Sequence, residues 1–483
     1  MGYEYSFDHL VRTANEASLF KAVSEVAAQQ GQRVYVVGGF VRDAILGRAN
    51  TDVDLVTVGS GVELAERVTR AVRGSRLQVF KNFGTANFHY KGLEVEFVGA
   101  RRESYRRDSR KPLVEDGTLE EDLARRDFTV NALAVSLNAE DFGAIVDRYD
   151  GLGDMNRALL RTPLSPSQTF DDDPLRMMRA ARFAAQLGFT IDDAAFAAMR
   201  AYAERLQIVS SERIIEEFNK ILMSPMPSMG LHLLGETKLL DQFLPEVAAL
   251  RGVETVEGRG HKDNFYHTLQ VVDNAASRGA DLWVRWAALL HDVGKARTKR
   301  YVPKQGWTFH SHEFVGAKMV EKIFRRLHMP LNEKMRRVEK LVSLHMRPIA
   351  LVDDQVTDSA VRRLLFDGGD EIEQLMLLCE ADITSKNEKT VARYMKNFER
   401  VRAKMKDLEA RDAIRNFQPP VSGEEIMELY SLPPSRVVGE LKNAIKDAIL
   451  DGVIRNDREE ALAFLRRKAE ELGVAPKGGK GAH

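Results

Sequence analysis

The stretch VVGGFVRDAILGRANTDVDL, residues 36–55, decides how the amino-terminal part of the chain is read. It opens on a β-rich apolar run, breaks at Gly38-Gly39 and enters a helix, while TDVDLVTV just beyond it predicts a second strand. A Gly-Gly turn between strand and helix brings backbone N–H groups close to a phosphate. In the second strand a side-chain period of two puts Asp52 and Asp54 on one face. Two carboxylates on one face repel each other unless a cation sits between them. Val53, Leu55 and Val56 mark the strand as buried, where unpaired acids are costly. Hard oxygen ligands beside a phosphate substrate favour Mg²⁺. Glu96, in the later strand LEVEFVGA, is a candidate third carboxylate.

Outward from this run, residues 12–30 and ELAERVTRAV predict amphipathic helices, which gives an α/β head. From about Pro174 strand signals almost vanish, and segments such as MMRAARFAAQLGF and ERIIEEFNKILM carry apolar residues at helical spacing. The fold class read from this is α+β, a small mixed-sheet head followed by helical domains. The expected divisions are a head over 1–160, a helical neck over 161–225, a metal-binding helical domain over 226–400, a C-terminal helical element over 401–475 and a disordered tail over 476–483.

Hydrophobic residues make up 44% and charged residues 29% of the 483, as in soluble globular proteins. The net charge is zero, so binding to nucleic acid requires a local basic patch. The one cysteine, Cys379, excludes an intramolecular disulfide and fits a reducing cytoplasm. No apolar run approaches the roughly 18 residues of a membrane span, and MGYEYSFDHL has no apolar signal core.

The quoted run resembles the head motif of the tRNA nucleotidyltransferase and bacterial poly(A) polymerase family. Further resemblances follow in that family's order: LARRDFTVNALA (123–134), IVDRYDGLGDMNRALLRT (145–162), DDPLRMMRAARFAAQLGF (172–189) and SERIIEEFNKIL (211–222). The resemblance implies that Asp52 and Asp54 bind two Mg²⁺ ions and that Glu96 is the third acid. It places Gly38, Gly39 and Arg42 at the triphosphate and Arg126, Asp127 and Asn131 at the ribose. Asp173 and Arg176 match the pair that reads the incoming base, with Arg179 also at the nucleotide. Their i, i+3 spacing is read as one helix face. The family usually has Glu where this chain has Asp172. The segment RRESYRRDSRKPLVEDG (101–117) keeps Tyr105, Asp108, Arg110 and Pro112 of the full-length loop pattern, which favours complete CCA addition to tRNA from CTP and ATP. Poly(A) addition is the alternative. Arg179, Arg182, Arg200, Arg205 and Arg213 offer basic groups to tRNA phosphates, and most of them are read as solvated helix faces with i, i+4 pairing.

Seven of the eleven histidines lie between His261 and His345. His267, the pair His291-Asp292, His312, His345 and Asp382 fall on predicted helices, from which imidazoles and carboxylates can converge on transition-metal ions. The set resembles the HD superfamily of metal-dependent phosphohydrolases. By that resemblance His267, His291, Asp292 and Asp382 are primary ligands, His312 and His345 serve a second metal or the phosphate, and Lys295 lies near the phosphate. A chain that is mainly such a hydrolase, with an RNA-binding head, is a further alternative. His261 and His328 are read as structural. The segment 418–450 resembles the C-terminal helical element of HD-containing CCA enzymes and is read as contacting tRNA or packing the body.

Overall fold

The computed structural model describes residues 11–73, 76–80, 84–106, 109–256, 258–353, 357–385, 387–412 and 418–475. The predicted tail over 476–483 and Asp108 lie outside the described residues, as do the side chains of Tyr105, Arg110 and Pro112. Contacts divide the chain into two units, Met1–Pro245 and Glu246–His483.

The first unit begins with α1 (Ala14–Gln30), held at its start by a Thr13/Glu16 capping box and ended by Gly31 in the left-handed conformation. There follow β1 (Arg33–Val37), α2 (Gly39–Ile45), β2 (Asp52–Val58), α3 (Gly61–Val72), β3 (Gln78–Phe80), β4 (Thr85–Tyr90) and β5 (Leu93–Gly99). Next come the hairpin β6 (Arg101–Arg106) and β7 (Ser109–Asp116), then α4 (Leu119–Ala124), β8 (Leu133–Ser136) and β9 (Ile145–Asp147). The main sheet runs β3-β4-β5-β2-β1-β8-β9. Its one parallel pair, β2 with β5, is bridged by α3. All its other neighbours are antiparallel.

Strand alternation sorts the two faces of this sheet. Tyr35, Val37 and Val56 pack with Leu119 and Leu123 of α4. Asp52 and Asp54 share the face of Val56, so the carboxylates lie at the open end of that apolar layer. Val53 and Leu55 on the opposite face are fully buried.

The helices that follow are α5 (Gly151–Asn156), α6 (Pro166–Asp172), α7 (Leu175–Leu187), α8 (Asp193–Ala201), α9 (Ser211–Leu222), α10 (Pro227–Glu236) and α11 (Leu239–Phe243). Apolar positions of α7, including Met177, Ala181 and Ala184, are fully buried, and the helix packs on α9 and α10. The predicted helix through Asp173 is broken. Asp173 closes α6 in an extended conformation and Pro174 caps α7. Proline disfavours helical geometry in the residue before it, so Asp173 and Arg176 do not share a helix face.

The second unit is helical: α12 (Asn264–Ser277), α13 (Leu282–Leu290), α14 (His312–Arg326), α15 (Glu333–Leu344), α16 (Met346–Asp353), α17 (Asp358–Gly368), α18 (Ile372–Ala381), α19 (Glu388–Asp412), α20 (Gly423–Tyr430), α21 (Arg436–Leu450) and α22 (Arg458–Glu471). Trp286 and Phe324 lie in its core, wholly buried. Two short antiparallel pairs, Thr255–Val256 with Arg259–Gly260 and Arg300–Val302 with Gly306–Thr308, interrupt the helices. Among the described residues no helix is long and apolar enough to cross a membrane.

Candidate functional site

In the first unit β2 carries Asp52 and Asp54 to the edge of a cleft of about 680 Å³. Gly39, Arg42, Arg126, Asp127, Asn131, Asp173, Arg176 and Arg179 line the same cleft. Glu96 is not among its lining residues but stands opposite Asp54 in the parallel register of β2 and β5. Burial, opposed by Arg126 and reinforced by Asp52, raises the pKa of Asp54. Burial and the charge of Asp54 raise that of Glu96. Carboxylates that resist ionisation together fit a site whose missing charge is a divalent cation.

Gly38 does its work from behind. Its φ is +70°, and an added Cβ would lie 2.6 Å from Nη1 of Arg126. Glycine therefore lets the strand-to-helix turn and Arg126 meet. Arg42 is organised by a chain of hydrogen bonds. Its Nε and Nη2 donate to Asp43 at 2.9 Å each, and its Nη1 donates to Asn131 Oδ1 at 2.6 Å. Asn50 Nδ2 donates to Asp43 at 2.8 Å, while its Oδ1 accepts from the backbone N–H of Asp52 at 2.9 Å. Asn131 Nδ2 donates to Asp127 at 2.9 Å, and Arg179 Nε donates to the other oxygen of Asp127 at 2.7 Å. Burial alone would raise the pKa of Asp127, but Arg179 and Asn131 hold it down to about 2. One network thus runs from the strand of the paired aspartates to the helix of Arg176 and Arg179.

Asp43 and Asn50 are absent from the sequence-based site, although both lie in the quoted run. Asp122 is absent too; it is fully buried and takes salt bridges from Arg125 at 2.6 Å and Arg126 at 3.1 Å. Arg176 donates to the carbonyls of Thr169 and Arg125, and Asp173 accepts from the N–H of Leu175. Both line the cleft from adjoining elements rather than from one helix face. Two arginines read as solvated are paired and largely buried instead. Arg182 lies 2.7 Å from Glu217, and Arg205 lies 3.0 Å from Asp171.

In the second unit His267, His291, Asp292, His312, His345 and Asp382 converge. His291, Asp292, His312 and His345 are buried. Nε2 of His291 lies 3.3 Å from Asp292 Oδ2 and 3.6 Å from Asp382 Oδ1. His267 Nε2 lies 2.8 Å from Asp382 Oδ1. On the other side Asp292 Oδ1 is 3.3 Å from His312 Nε2 and 4.0 Å from His345 Nε2. Two groups able to hold a metal, His267-His291-Asp292 and Asp292-His312-His345, therefore share Asp292. Three of the rings are oriented alike: Nδ1 of His291, His312 and His345 faces the carbonyls of Ala288, Phe309 and Val342 at 2.7, 2.9 and 2.7 Å. An Nδ1–H donated to a carbonyl leaves the Nε2 lone pair for a metal. Burial would depress the pKa of His291, yet Asp292 and Asp382 raise it to about 10. The donor set thus suits a cation between these carboxylates.

Lys295 Nζ donates to Asp292 Oδ2 at 2.6 Å. Gly294 is required by contact, because a Cβ there would strike the carbonyl of His312. Lys262 and Thr384, not singled out from sequence, both contact Nδ1 of His267 at 2.9 and 3.0 Å. His261, read as structural, packs edge-on against Trp307 at 5.3 Å.

Three family profiles match the chain: "Poly A polymerase head domain" over 34–161, "Probable RNA and SrmB- binding site of polymerase A" over 188–250, and "HD domain" over 264–414. A protein of Deinococcus radiodurans named A-adding tRNA nucleotidyltransferase is 36% identical over 449 residues, covering 90% of this chain and 95% of that protein. A protein of Pseudomonas paraeruginosa named multifunctional CCA protein is 37% identical over 309 residues, covering 62% of this chain and 71% of that protein. Among solved structures, the Bacillus stearothermophilus CCA-adding enzyme in complex with CTP aligns with a TM-score of 0.67 and 25% identity, over 96% of this chain and 100% of that one. The Thermotoga maritima CCA-adding enzyme complexed with tRNA shares the fold with a TM-score of 0.62 at 21% identity, over 96% of this chain and 98% of that one.

Proposed function

Because the chain belongs to the tRNA nucleotidyltransferase family that includes the A-adding and CCA-adding enzymes, we propose that it adds C, C and A to the 3′ end of tRNA from CTP and ATP. The observation that carries this reading is the single cleft in which Asp52 and Asp54 stand beside Asp173 and Arg176. Asp52 and Asp54, with Glu96 as the third acid, would hold Mg²⁺, which would supply the positive charge to activate the RNA 3′-hydroxyl and neutralise the triphosphate. That hydroxyl oxygen bonds to the α-phosphorus as the bond to the departing pyrophosphate breaks. The Gly38-Gly39 turn and Arg42 receive the triphosphate, and Arg126, Asp127 and Asn131 receive the ribose. Asp173 accepts from the exocyclic amino group of the base and Arg176 donates to its ring acceptors, a pattern that C and A share.

The second unit adds a phosphohydrolase centre. His267, His291, Asp292 and Asp382 would hold one transition-metal ion, and His312 and His345 with Asp292 would hold another. Lys295 meets the phosphate of the ester to be cleaved.

Product length tests the principal reading. tRNA lacking its CCA end is incubated with CTP alone, ATP alone and both. CCA synthesis predicts two additions with CTP alone and a third only when ATP is present. The near full-length match to an A-adding relative gives a second reading, in which only tRNA already ending in CC is extended, by one A. A long run of A without C would establish poly(A) addition instead.

A further inference from the structure

One of the four histidines at the centre of the second unit is held differently from the rest. Nδ1 of His291, His312 and His345 each faces a backbone carbonyl. A carbonyl only accepts, so in the neutral ring the proton sits on Nδ1 and the lone pair on Nε2. His267 faces a donor instead. Nζ of Lys262, just before α12, lies 2.9 Å from its Nδ1. An ammonium has three N–H donors and no acceptor, so this Nδ1 accepts and the ring proton goes to Nε2. There it meets Asp382 Oδ1 at 2.8 Å. Lys262 thus favours the tautomer of His267 that withholds its Nε2 lone pair from a cation.

Thr384, just after α18, favours the opposite tautomer. Its Oγ1 stands 3.0 Å from the same Nδ1 and accepts from Lys262 Nζ at 2.7 Å. A hydroxyl oxygen has two lone pairs and can also take an Nδ1–H. With Nδ1–H turned to Thr384, the Lys262 ammonium would set donor against donor. The two residues, 122 positions apart, therefore pull one ring in opposite directions.

The two lysines at this centre are held unequally. Lys295 is paired with the Asp292 carboxylate at 2.6 Å. Lys262 is exposed, and among the described residues its ammonium meets only the uncharged acceptors of His267 and Thr384. An ammonium gains more from a phosphate oxygen than from a neutral ring nitrogen, and its flexible four-carbon stem lets the head swing. Lys262 is the one of the pair free to leave for an anion.

We propose that Lys262 is a tethered cation that couples anion binding to cation binding at His267. A phosphate group that draws Lys262 away lets His267 give up its Nε2 proton and take one at Nδ1, against Thr384. The ring stays neutral, and its Nε2 lone pair becomes available beside Asp292 and Asp382. Phosphate and divalent cation then strengthen each other's binding by the same factor. The proposal rests on the phosphohydrolase reading of this centre. Lys262 and Thr384 are positioning residues, acting through His267.

Equilibrium titration of the full chain, stripped of metal, with Mn²⁺ in the absence and presence of inorganic phosphate tests this. Wild type is expected to bind Mn²⁺ more tightly with phosphate present. Lys262→Met, without phosphate, is expected to bind one Mn²⁺ about tenfold more tightly than wild type, the worth of one hydrogen bond. Its response to phosphate should be smaller than that of wild type by about the same factor. Thr384→Val, equal in charge to wild type, should weaken that Mn²⁺ by about tenfold. In ¹⁵N spectra of the metal-free protein, His267, assigned by its loss in His267→Ala, should carry its proton on Nε2 in wild type and on Nδ1 in Lys262→Met. Removal of charge alone would leave the tautomer unchanged. An unchanged tautomer, Mn²⁺ affinity in Lys262→Met no higher than in wild type, Thr384→Val as tight as wild type, or a wild type indifferent to phosphate would each overturn the proposal. Wild-type protein that binds no Mn²⁺ under either condition would instead overturn the metal reading of the centre.

Discussion

Arg179 Nε sits 2.7 Å from Asp127 Oδ2, joining residues 52 positions apart in the sequence. The contact ties the motif after α4 to the helix that carries Arg176. It also sets a pH dependence. Burial acts against ionisation of Asp127, but Arg179 and Asn131 lower its pKa from 3.8 to about 2. A depressed carboxylate stabilises the fold fully above its unfolded pKa, and that contribution is lost as pH falls toward its folded value. At about 1.4 kcal/mol per pKa unit, the contribution is about 2 kcal/mol. Asp127→Asn is therefore expected to unfold at lower temperature near neutral pH. Its gap to wild type should narrow as pH falls from about 5 to about 2.5. A gap that stays constant across that window would contradict the assignment.

The Asn50–Asp43–Arg42–Asn131 chain predicts that Asp43 matters although it faces no substrate. Asp43→Ala frees Arg42 to shift, and misplacement of about 1 Å costs roughly 100-fold in rate. Steady-state kcat/KM for ATP addition should fall by about 10- to 100-fold, with Asp43→Glu less affected than Asp43→Ala. Equal activity in wild type and Asp43→Ala would show that the network is idle.

Base selection should depend on Asp173 and Arg176 although no single helix carries both. Asp173→Asn gives the site a donor where only an acceptor stood, so U and G become admissible. The ratio of CTP to UTP incorporation is expected to drop by at least about tenfold. A ratio that does not move would place base reading elsewhere in the cleft.

Asp292 faces both histidine groups, so metal content should respond unequally to substitution. Asp292→Asn is expected to purify without metal at either position, whereas His345→Ala keeps the ion held by His267, His291 and Asp382. Elemental analysis per chain reads this directly, with hydrolysis of bis(p-nitrophenyl) phosphate alongside. Metal content in Asp292→Asn equal to wild type would remove the shared-ligand account.

Much of this was legible in the residues themselves. Asp52 and Asp54 announce a shared face because strand alternation is local, and β2 begins at Asp52 as that alternation predicts. The quoted glycines announce the turn for the same reason. Asp43, Asn50 and Glu217 were not legible as site residues, because their roles lie in partners 7 to 35 residues away: Asn50 meets Asp43, and Glu217 meets Arg182. Arg182 looked like one more arginine on a helix surface; only the packing of α7 on α9 takes it out of solvent. The i, i+3 spacing of Asp173 and Arg176 misled because Pro174 stands between them and ends one helix before the next begins. In the second unit the histidine series was visible, while the sharing of Asp292 between two groups depends on which carboxylate oxygen faces which ring.

The central claim is that Asp52 and Asp54 catalyse nucleotide addition. The most direct measurement is incorporation of labelled CTP and ATP into tRNA lacking its CCA end, by wild-type protein and by the Asp52→Ala/Asp54→Ala double variant. The account predicts incorporation by the wild type and none above background by the double variant, with hydrolysis at the His291-Asp292 centre unchanged. Incorporation that persists in the double variant would contradict it.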